Sequence, residues 1–382
     1  PALSCDNTPK RVLYFWRLLF MKRIILTGGG TAGHVTPNIA LIPRLLELGY
    51  DIQYIGSYNG IEKDLIEPFG IPYHGISSGK LRRYFSVQNF TDPFRVVKGF
   101  SEAHKLIKEL KPDVIFSKGG FVSVPVVLAG KRCKVPVIIH ESDMTPGLAN
   151  KIAIPSATKV CCNFPETLDA LPKGKAVLTG SPIRQELLSG NKIAALYMCG
   201  FSADKPVILV IGGSLGSVIV NNAVRQSLPE LLKDFQIIHL CGKGKSDDSL
   251  KDIKGYCQFE YIKSELRDIF ALADIVISRA GANAICELLA LRKPNLLIPL
   301  SAKASRGDQI LNARSFERQG FSMVLEEEDL SEITLVPAVH SLYKERGTFI
   351  DSMRDSVQQD SIDTIISLIE EASEKEPCNK RD

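Results

Sequence analysis

Along the chain, short β-branched runs alternate with amphipathic stretches of helical period. The run Ile24-Ile25-Leu26 ends in Thr27-Gly28-Gly29-Gly30-Thr31-Ala32-Gly33-His34, and Val207-Ile208-Leu209-Val210-Ile211 ends in Gly212-Gly213-Ser214-Leu215-Gly216-Ser217. An uninterrupted apolar run predicts a strand buried on both faces. The glycines after it let the backbone turn into a helix and present bare N–H groups to an anion, so a phosphorylated ligand is expected there. Strands are expected at 23–27, 51–55, 114–117, 136–139, 159–162 and 176–179, alternating with helices such as 37–48 and 101–110. The pattern restarts after Gly180-Ser181-Pro182, with strands expected at 206–211, 236–240, 257–261, 274–278 and 295–299. This order predicts an α/β fold of two Rossmann-like domains, each a parallel doubly wound sheet, facing a central cleft. Ligands of such sheets sit outside the carboxyl ends of the strands.

Residues 1–20 read as a leader or translated remnant outside the fold, because Met21-Lys22-Arg23 directly precedes the first strand. The stretch 12–20 is apolar but short, contains Arg17 and lacks a small-residue cleavage site. Residues 21–183 are expected to form an N-terminal domain and 184–360 a C-terminal one, with a hinge at 181–190 where proline and glycine punctuate the chain. Within 361–382, an apolar-periodic helix at 362–369 is expected to dock back on the first domain, followed by a polar tail.

A chain of 382 residues, 45% hydrophobic and 24% charged, has enough apolar content for two packed cores. No run approaches the roughly 20 apolar residues of a membrane-spanning helix. The nine cysteines are odd in number, scattered and without a C-x-x-C pair. They signal neither a disulfide framework nor a zinc site, and read as small apolar or neutral residues of a reducing compartment. The histidines show no metal-ligand spacing, and no Asp-x-Asp motif lies near the glycine loops. No cofactor is therefore expected, and no essential divalent metal. A net charge of +4 and the lack of any nucleic-acid module spacing argue against nucleic acid as a partner.

Gly28-x-Gly30-x-x-Gly33 satisfies the dinucleotide fingerprint, but the second strand ends in Ile55-Gly56-Ser57 where that fingerprint wants an acidic residue. Asp51 lies at the wrong end of the strand and Glu62 lies beyond the turn. Either loop alone could be a structural strand-to-helix turn. As a pair, they suit a transferase that uses a nucleotide-activated sugar. The diphosphate would lie between two helix N-termini, whose partial positive charge stabilises the leaving group without a metal.

Several blocks closely resemble the MurG family of glycosyltransferases: Gly28–Pro37, Gly119–Ser123, His140-Glu141, Pro146–Lys151, Gly180–Arg184, Gly212–Gly216, Arg279–Ala282 and Asp308–Ala313. The resemblance implies a GT-B fold and a hexosyltransferase that moves N-acetylglucosamine from UDP-GlcNAc to the C4 hydroxyl of lipid-linked MurNAc-pentapeptide (undecaprenyl-pyrophosphoryl-linked). This inverting step converts lipid I to lipid II in peptidoglycan biosynthesis, and so serves cell-wall biogenesis, cell shape and division. His34 is implied as the general base, with Glu141 as a second catalytic residue. Thr31, Ala32, Gly33, Asp143, Arg184, Ser214, Ile262, Ala282, Asn283, Ala284, Ile285, Cys286, Glu287 and Gln309 are implied to bind the donor. Arg184 and Ser214 would take the diphosphate, the Ile262 backbone the uracil and Glu287 the ribose. An Arg suits phosphate through its forked donors, and a carboxylate suits vicinal hydroxyls.

One departure concerns the donor sugar. Many relatives read His-Glu-Gln-Asn where this chain reads His140-Glu141-Ser142-Asp143, so a carboxylate replaces an amide. Lys80, Arg82, Arg83, Tyr84, Phe85 and Phe94 mix cations with aromatic rings, which suits an anionic membrane surface. The protein is accordingly expected as a peripheral protein on the cytoplasmic face of the cell membrane, where other cell-wall synthesis proteins are potential partners. A UDP-sugar transferase acting on diacylglycerol or another acceptor, and a UDP-GlcNAc 2-epimerase, remain open as alternatives.

Overall fold

The computed structural model describes residues 21–79, 92–213, 216–262, 264–304, 307–356 and 360–374, with backbone only at 92–94. The first sheet comprises β1 (Arg23–Thr27), β2 (Asp51–Ser57), β3 (Tyr73–Ile76), β4 (Val114–Ser117), β5 (Val137–Glu141), β6 (Lys159–Cys162) and β7 (Ala176–Leu178). Its strands are parallel, in the order β3-β2-β1-β4-β5-β6-β7. Ile24, Ile25 and Leu26 of β1 are fully buried, which is why this strand is an unbroken apolar run. The helix Thr36–Glu47 packs Leu41, Ile42 and Leu45 into a core with Leu26, Tyr54, Phe116 and Ile138. The helix Ser361–Ser373 adds Ile365, Ile366 and Ile369 to the same core and is anchored at its end by Ser373 Oγ, 2.8 Å from Tyr50 Oη.

The second sheet comprises β8 (Val207–Ile211), β9 (Gln236–Leu240), β10 (Tyr256–Phe259), β11 (Ile275–Ser278), β12 (Asn295–Leu297) and β13 (Met323–Val324), in the order β10-β9-β8-β11-β12-β13. Successive side chains of a strand point to opposite faces. Val207 and Leu209 accordingly enter one core, with Ile285, Leu288 and Phe316, while Ile208 and Val210 enter another, with Val220, Val224, Leu335 and Val339. In both sheets the chain order reverses at the first strand: β1 lies between β2 and β4, and β8 between β9 and β11. These reversals are topological switch points, where open α/β sheets bind their ligands.

The predicted strands recur within a residue or two of their expected ends. Two edge strands, β3 and β13, went unanticipated: Tyr-His-Gly-Ile carries no apolar run, and Met323–Val324 is only 2 residues long. Contacts group the chain through Glu141, Gly147–Cys161 and the segment from Ile362 as one compact unit, and Ser142–Pro146 with Cys162–Ser361 as the other. The second unit begins well before the expected 183/184 boundary, because Phe164, Ile183 and Leu187 all belong to its hydrophobic core. Among the described residues, no helix is long and apolar enough to cross a membrane.

Candidate active site

At the first switch point the loop after β1 meets the loop after β4. Lys118 N–H donates to Thr27 O at 2.9 Å, and Tyr54 Oη donates to Gly28 O at 2.7 Å. A Cβ on Gly28 would lie 2.4 Å from His34 O, and one on Gly120 (φ +85°) would lie 2.3 Å from Gly29 O. The two glycine motifs therefore abut so closely that neither tolerates a side chain at these positions. Thr31 precedes a 3-10 turn, Ala32–His34, and its carbonyl accepts from His34 N–H at 3.1 Å.

The half-buried His34 ring has Nδ1 2.9 Å from Thr31 Oγ1, which sets its orientation. Desolvation by burial lowers its pKa to about 4, helped by the charge of Lys118 and opposed by that of Glu62. The imidazole is thus neutral at physiological pH and able to accept a proton, although the same surroundings weaken it as a base.

Glu62, which the sequence placed beyond the turn, folds back beneath the glycine loop. Its buried carboxylate accepts from Gly30 N–H at 3.1 Å, from Ser57 N–H at 2.9 Å and from Ser57 Oγ at 2.5 Å. The expectation that this loop offers its amides freely to an anion is corrected at Gly30, whose N–H already serves a carboxylate. Lys118 and His140 are buried side by side, Nζ to Nδ1 at 2.6 Å. Glu141 is also buried, and its Oε2 accepts from Gly147 N–H at 3.0 Å and Asn150 Nδ2 at 2.8 Å. That geometry makes it a clamp on the chain following β5.

In the second unit the loop after β8 and the turn Arg279-Ala280-Gly281 after β11 occupy the switch point. Gly216 (φ +67°) has room for no Cβ, which would lie 1.9 Å from Cys241 O. Ser217 caps the helix Val218–Gln226, accepting from Val220 N–H at 3.4 Å and from Arg279 Nη2 at 2.7 Å. The buried Arg279 also donates to Ile298 O at 3.1 Å and Pro299 O at 3.2 Å, and pairs with Glu327.

The helix Ala282–Ala290 starts after Gly281, which has no side chain to cap it. Ala282, Ile285 and Cys286 are buried, Ala284 is half-buried, and Asn283 Oδ1 accepts from Ser181 Oγ at 3.4 Å. Glu287 Oε1 lies 3.8 Å from Arg184 Nη2. Burial raises the Glu287 pKa, and Arg184 opposes that rise. Arg184 Nε is buried with no hydrogen-bond partner among the described residues. Ile262 follows β10 at the edge of the core.

Asp143 and Gln309 converge on the helix Asp308–Arg318. Asp143 Oδ1 accepts from Asn312 Nδ2 at 3.2 Å, and Gln309 Oε1 accepts from Leu300 N–H at 3.0 Å. Gln309 therefore has its amide oxygen committed to backbone. The predicted residues accordingly gather in two groups: Thr31, Ala32, Gly33, His34 and Glu141 in the first unit, and Asp143, Arg184, Ile262, residues 282–287 and Gln309 in the second. Ser214, Lys80, Arg82, Arg83, Tyr84 and Phe85 lie outside the described residues, as does the Phe94 side chain. Glu62, Lys118 and Asn312 were not anticipated. Among the described residues, no group of three His, Cys, Asp or Glu is placed to hold a metal ion.

Two doubly wound parallel sheets, each with a glycine-lined switch point, define a fold of the GT-B glycosyltransferase class. The glycosyltransferase family 28 N-terminal domain matches residues 24–162, and the family 28 C-terminal domain matches residues 207–368. The chain belongs to glycosyltransferase family 28. It is 69% identical over 353 residues, 92% of this chain and 100% of the relative, to the UDP-N-acetylglucosamine--N-acetylmuramyl-(pentapeptide) pyrophosphoryl-undecaprenol N-acetylglucosamine transferase of Lachnospira eligens. The protein of the same name from Clostridium tetani is 61% identical, covering 91% of this chain and 98% of that one. The crystal structure of Acinetobacter baumannii MurG matches with a TM-score of 0.74 at 25% identity, covering 92% and 99% of the two chains. The UDP-GlcNAc 2-epimerase of Methanocaldococcus jannaschii shares the fold at 15% identity, with a TM-score of 0.64 over 92% of this chain and 100% of the other.

Proposed function

We propose that this enzyme transfers N-acetylglucosamine from UDP-N-acetylglucosamine to the C4 hydroxyl of lipid-linked N-acetylmuramyl-pentapeptide. The observation that carries the reading is the Arg184–Glu287 pair. Arg184 has a buried Nε without a hydrogen-bond partner among the described residues and makes loose 3.8 Å ion pairs to Glu186 and to Glu287, the latter on a helix that starts after a glycine with no side chain to cap it. Arg184 forks onto the diphosphate, Glu287 accepts from the ribose hydroxyls, and the helix N-terminus favours the negative charge that grows on departing UDP. Ser214, Ile262, Asn283 and Gln309 complete the donor site, and Asp143 accepts from the sugar.

In the transfer, the acceptor C4 oxygen attacks the anomeric carbon and the bond from that carbon to the diphosphate oxygen breaks. UDP leaves with the electron pair, and His34 takes the hydroxyl proton at Nε2, since Nδ1 is turned to Thr31. Glu141 serves by holding the chain at Gly147 and Asn150. No metal is required, because the fixed donors carry the charge. The lipid-linked acceptor places the protein on the cytoplasmic membrane surface, attached peripherally through the basic and aromatic stretch from Lys80 to Phe94.

The test is UDP release from UDP-GlcNAc with and without the lipid-linked acceptor. Release is expected to require the acceptor, and His34→Ala to lower kcat at least about tenfold. Turnover on diacylglycerol alone, or formation of UDP-ManNAc, refutes the assignment.

A further inference from the structure

Two cysteines distant in sequence meet in the second unit. Cys199 ends the helix Lys192–Cys199, Cys257 lies in β10, and the Cys199 thiol donates to the sulfur of Cys257. The packing around them brings the same two positions together. Cys257 is in register with Ile238 of β9, and Ile238 belongs to the core against which Cys199 packs. Side chains alternate along β10, so Tyr256 enters the opposite core while Cys257 shares its face with Phe259, which packs on the same core as Cys199. Ser202, just beyond the helix, exchanges bonds with Gln236 at the start of β9: its N–H donates to Gln236 Oε1 at 2.9 Å and its carbonyl accepts from Nε2 at 2.9 Å.

Cys199 and Cys257 are both partly exposed, whereas Cys161, Cys162, Cys241 and Cys286 are buried. The bond between the two thiols, together with burial, raises the Cys199 pKa, and the same bond lowers that of Cys257 against the effect of burial. A sulfur that receives its neighbour's proton is the readier thiolate, and the thiolate is the form that attacks a disulfide. Cys257 is thus set to react first, and Cys199 stands beside it to resolve the product.

We propose that Cys199 and Cys257 form a redox-sensitive pair that a small-molecule disulfide oxidises to an intramolecular disulfide. Cys257, as thiolate, attacks one sulfur of the oxidant, whose S–S bond breaks, and the first small thiolate leaves with the electron pair. Cys199 then gives its proton to water, and its sulfur attacks Cys257 Sγ and displaces the second small thiolate. Each departing thiolate takes up a proton, so two protein thiols become one disulfide and the oxidant is reduced to two thiols. The link ties the edge strand β10 to the helix ahead of β8 and encloses β8, the helix Val218–Gln226 and β9 between its ends. It therefore braces the part of the second unit that frames its switch point.

Oxidised glutathione is the probe, added in excess to the reduced full chain at neutral pH, with intact-mass measurement and peptide mapping of all nine cysteines. The protein is expected to become two hydrogens lighter and to yield a peptide cross-linked between Cys199 and Cys257, and dithiothreitol to reverse both changes. Cys199→Ser, or Cys199→Ala should the serine variant not fold, is expected to stop at one glutathione on Cys257. That adduct should form at least about tenfold faster than any on the partly exposed Cys133. Closing the chain between 199 and 257 constrains the unfolded state, so the oxidised protein is expected to have a higher urea midpoint than the reduced one, and Cys257→Ser to lose that difference. No cross-link under excess oxidant, a cross-link through other cysteines, a Cys257 adduct no faster than that of Cys133, or an oxidised form with a lower urea midpoint overturns the proposal.

Discussion

Replacing Arg279 by methionine removes the donor at the centre of four contacts: Ile298 O, Pro299 O, Ser217 Oγ and the Glu327 carboxylate. The last is decisive, because the Glu327 side chain is only 7% exposed and would become a buried charge without its counter-ion. Breaking one side of a buried ion pair costs about 3–5 kcal/mol, whereas removing both charges is often near neutral. Arg279→Met is therefore expected to cost about 3–5 kcal/mol, and Arg279→Met/Glu327→Leu clearly less, with a favourable coupling of about 2 kcal/mol or more in the double-mutant cycle. Because a chain of two units need not unfold in one step, native-state hydrogen exchange at the amides of β8 and β11 is the suitable assay. The functional consequence follows from Ser217. Losing its Arg279 partner loosens the cap behind the second glycine loop, and UDP affinity should fall together with amide protection. A loss below about 1 kcal/mol in the single variant, or a cycle with no coupling, would show that the reasoning misplaces what holds this loop.

Glycine geometry yields a matched pair. Gly120→Ala, forced to φ +85° with its Cβ 2.3 Å from Gly29 O, should abolish soluble expression or lower Tm sharply, while Gly147→Ala, with nothing within 4 Å, should leave Tm within a few degrees. His239 is buried between Tyr256 Oη at 2.9 Å and Asn221 Oδ1 at 3.0 Å, and burial reinforced by Arg225 lowers its pKa to about 3. Since the unfolded chain protonates first, near 6.5, stability contributed here is present above that pH and is lost as pH falls from about 6.5 toward 3. His239→Gln should flatten this part of the pH dependence of urea midpoints, and a slope parallel to wild type would contradict the assignment. Arg184→Ala should weaken UDP at least about tenfold by titration, and a change under twofold would remove Arg184 from the diphosphate.

Most of the sheets could be read from the sequence because strands buried on both faces leave uninterrupted aliphatic runs, as at Ile24–Leu26 and Val207–Ile211. β3 and β13 leave no such trace, because Tyr73–Ile76 carries no apolar run and Met323–Val324 is only 2 residues long. The glycine loops were visible as motifs, but their occupancy was not. Glu62 sits beyond a turn in sequence, and only the path through Gly60 returns its carboxylate to Gly30. Lys118 was overlooked because a lysine is almost never fully buried, and nothing in its neighbours announces a histidine waiting at 2.6 Å. Asn312 lies within the family-like block Asp308–Ala313, but its bonds to Met144, Asp143 and Ala280 cannot be read from that block, since an asparagine in an amphipathic helix ordinarily faces water. The domain boundary was set by proline and glycine at 181–190, whereas apolar packing of Phe164 and Ile183 decides it earlier.

The return of the helix Ser361–Ser373 to the first core bears on how this chain is made. While the ribosome is still translating, every fully buried residue of that core except Ile365, Ile366 and Ile369 has already been made by Cys161. At ordinary elongation speeds the nascent amino-terminal half then waits on the order of tens of seconds for its last helix, with the core short of three isoleucines and Tyr50 without Ser373. A premature stop anywhere in the second half would release a product with this greasy seam permanently open, marked for capture by chaperones or for proteolysis.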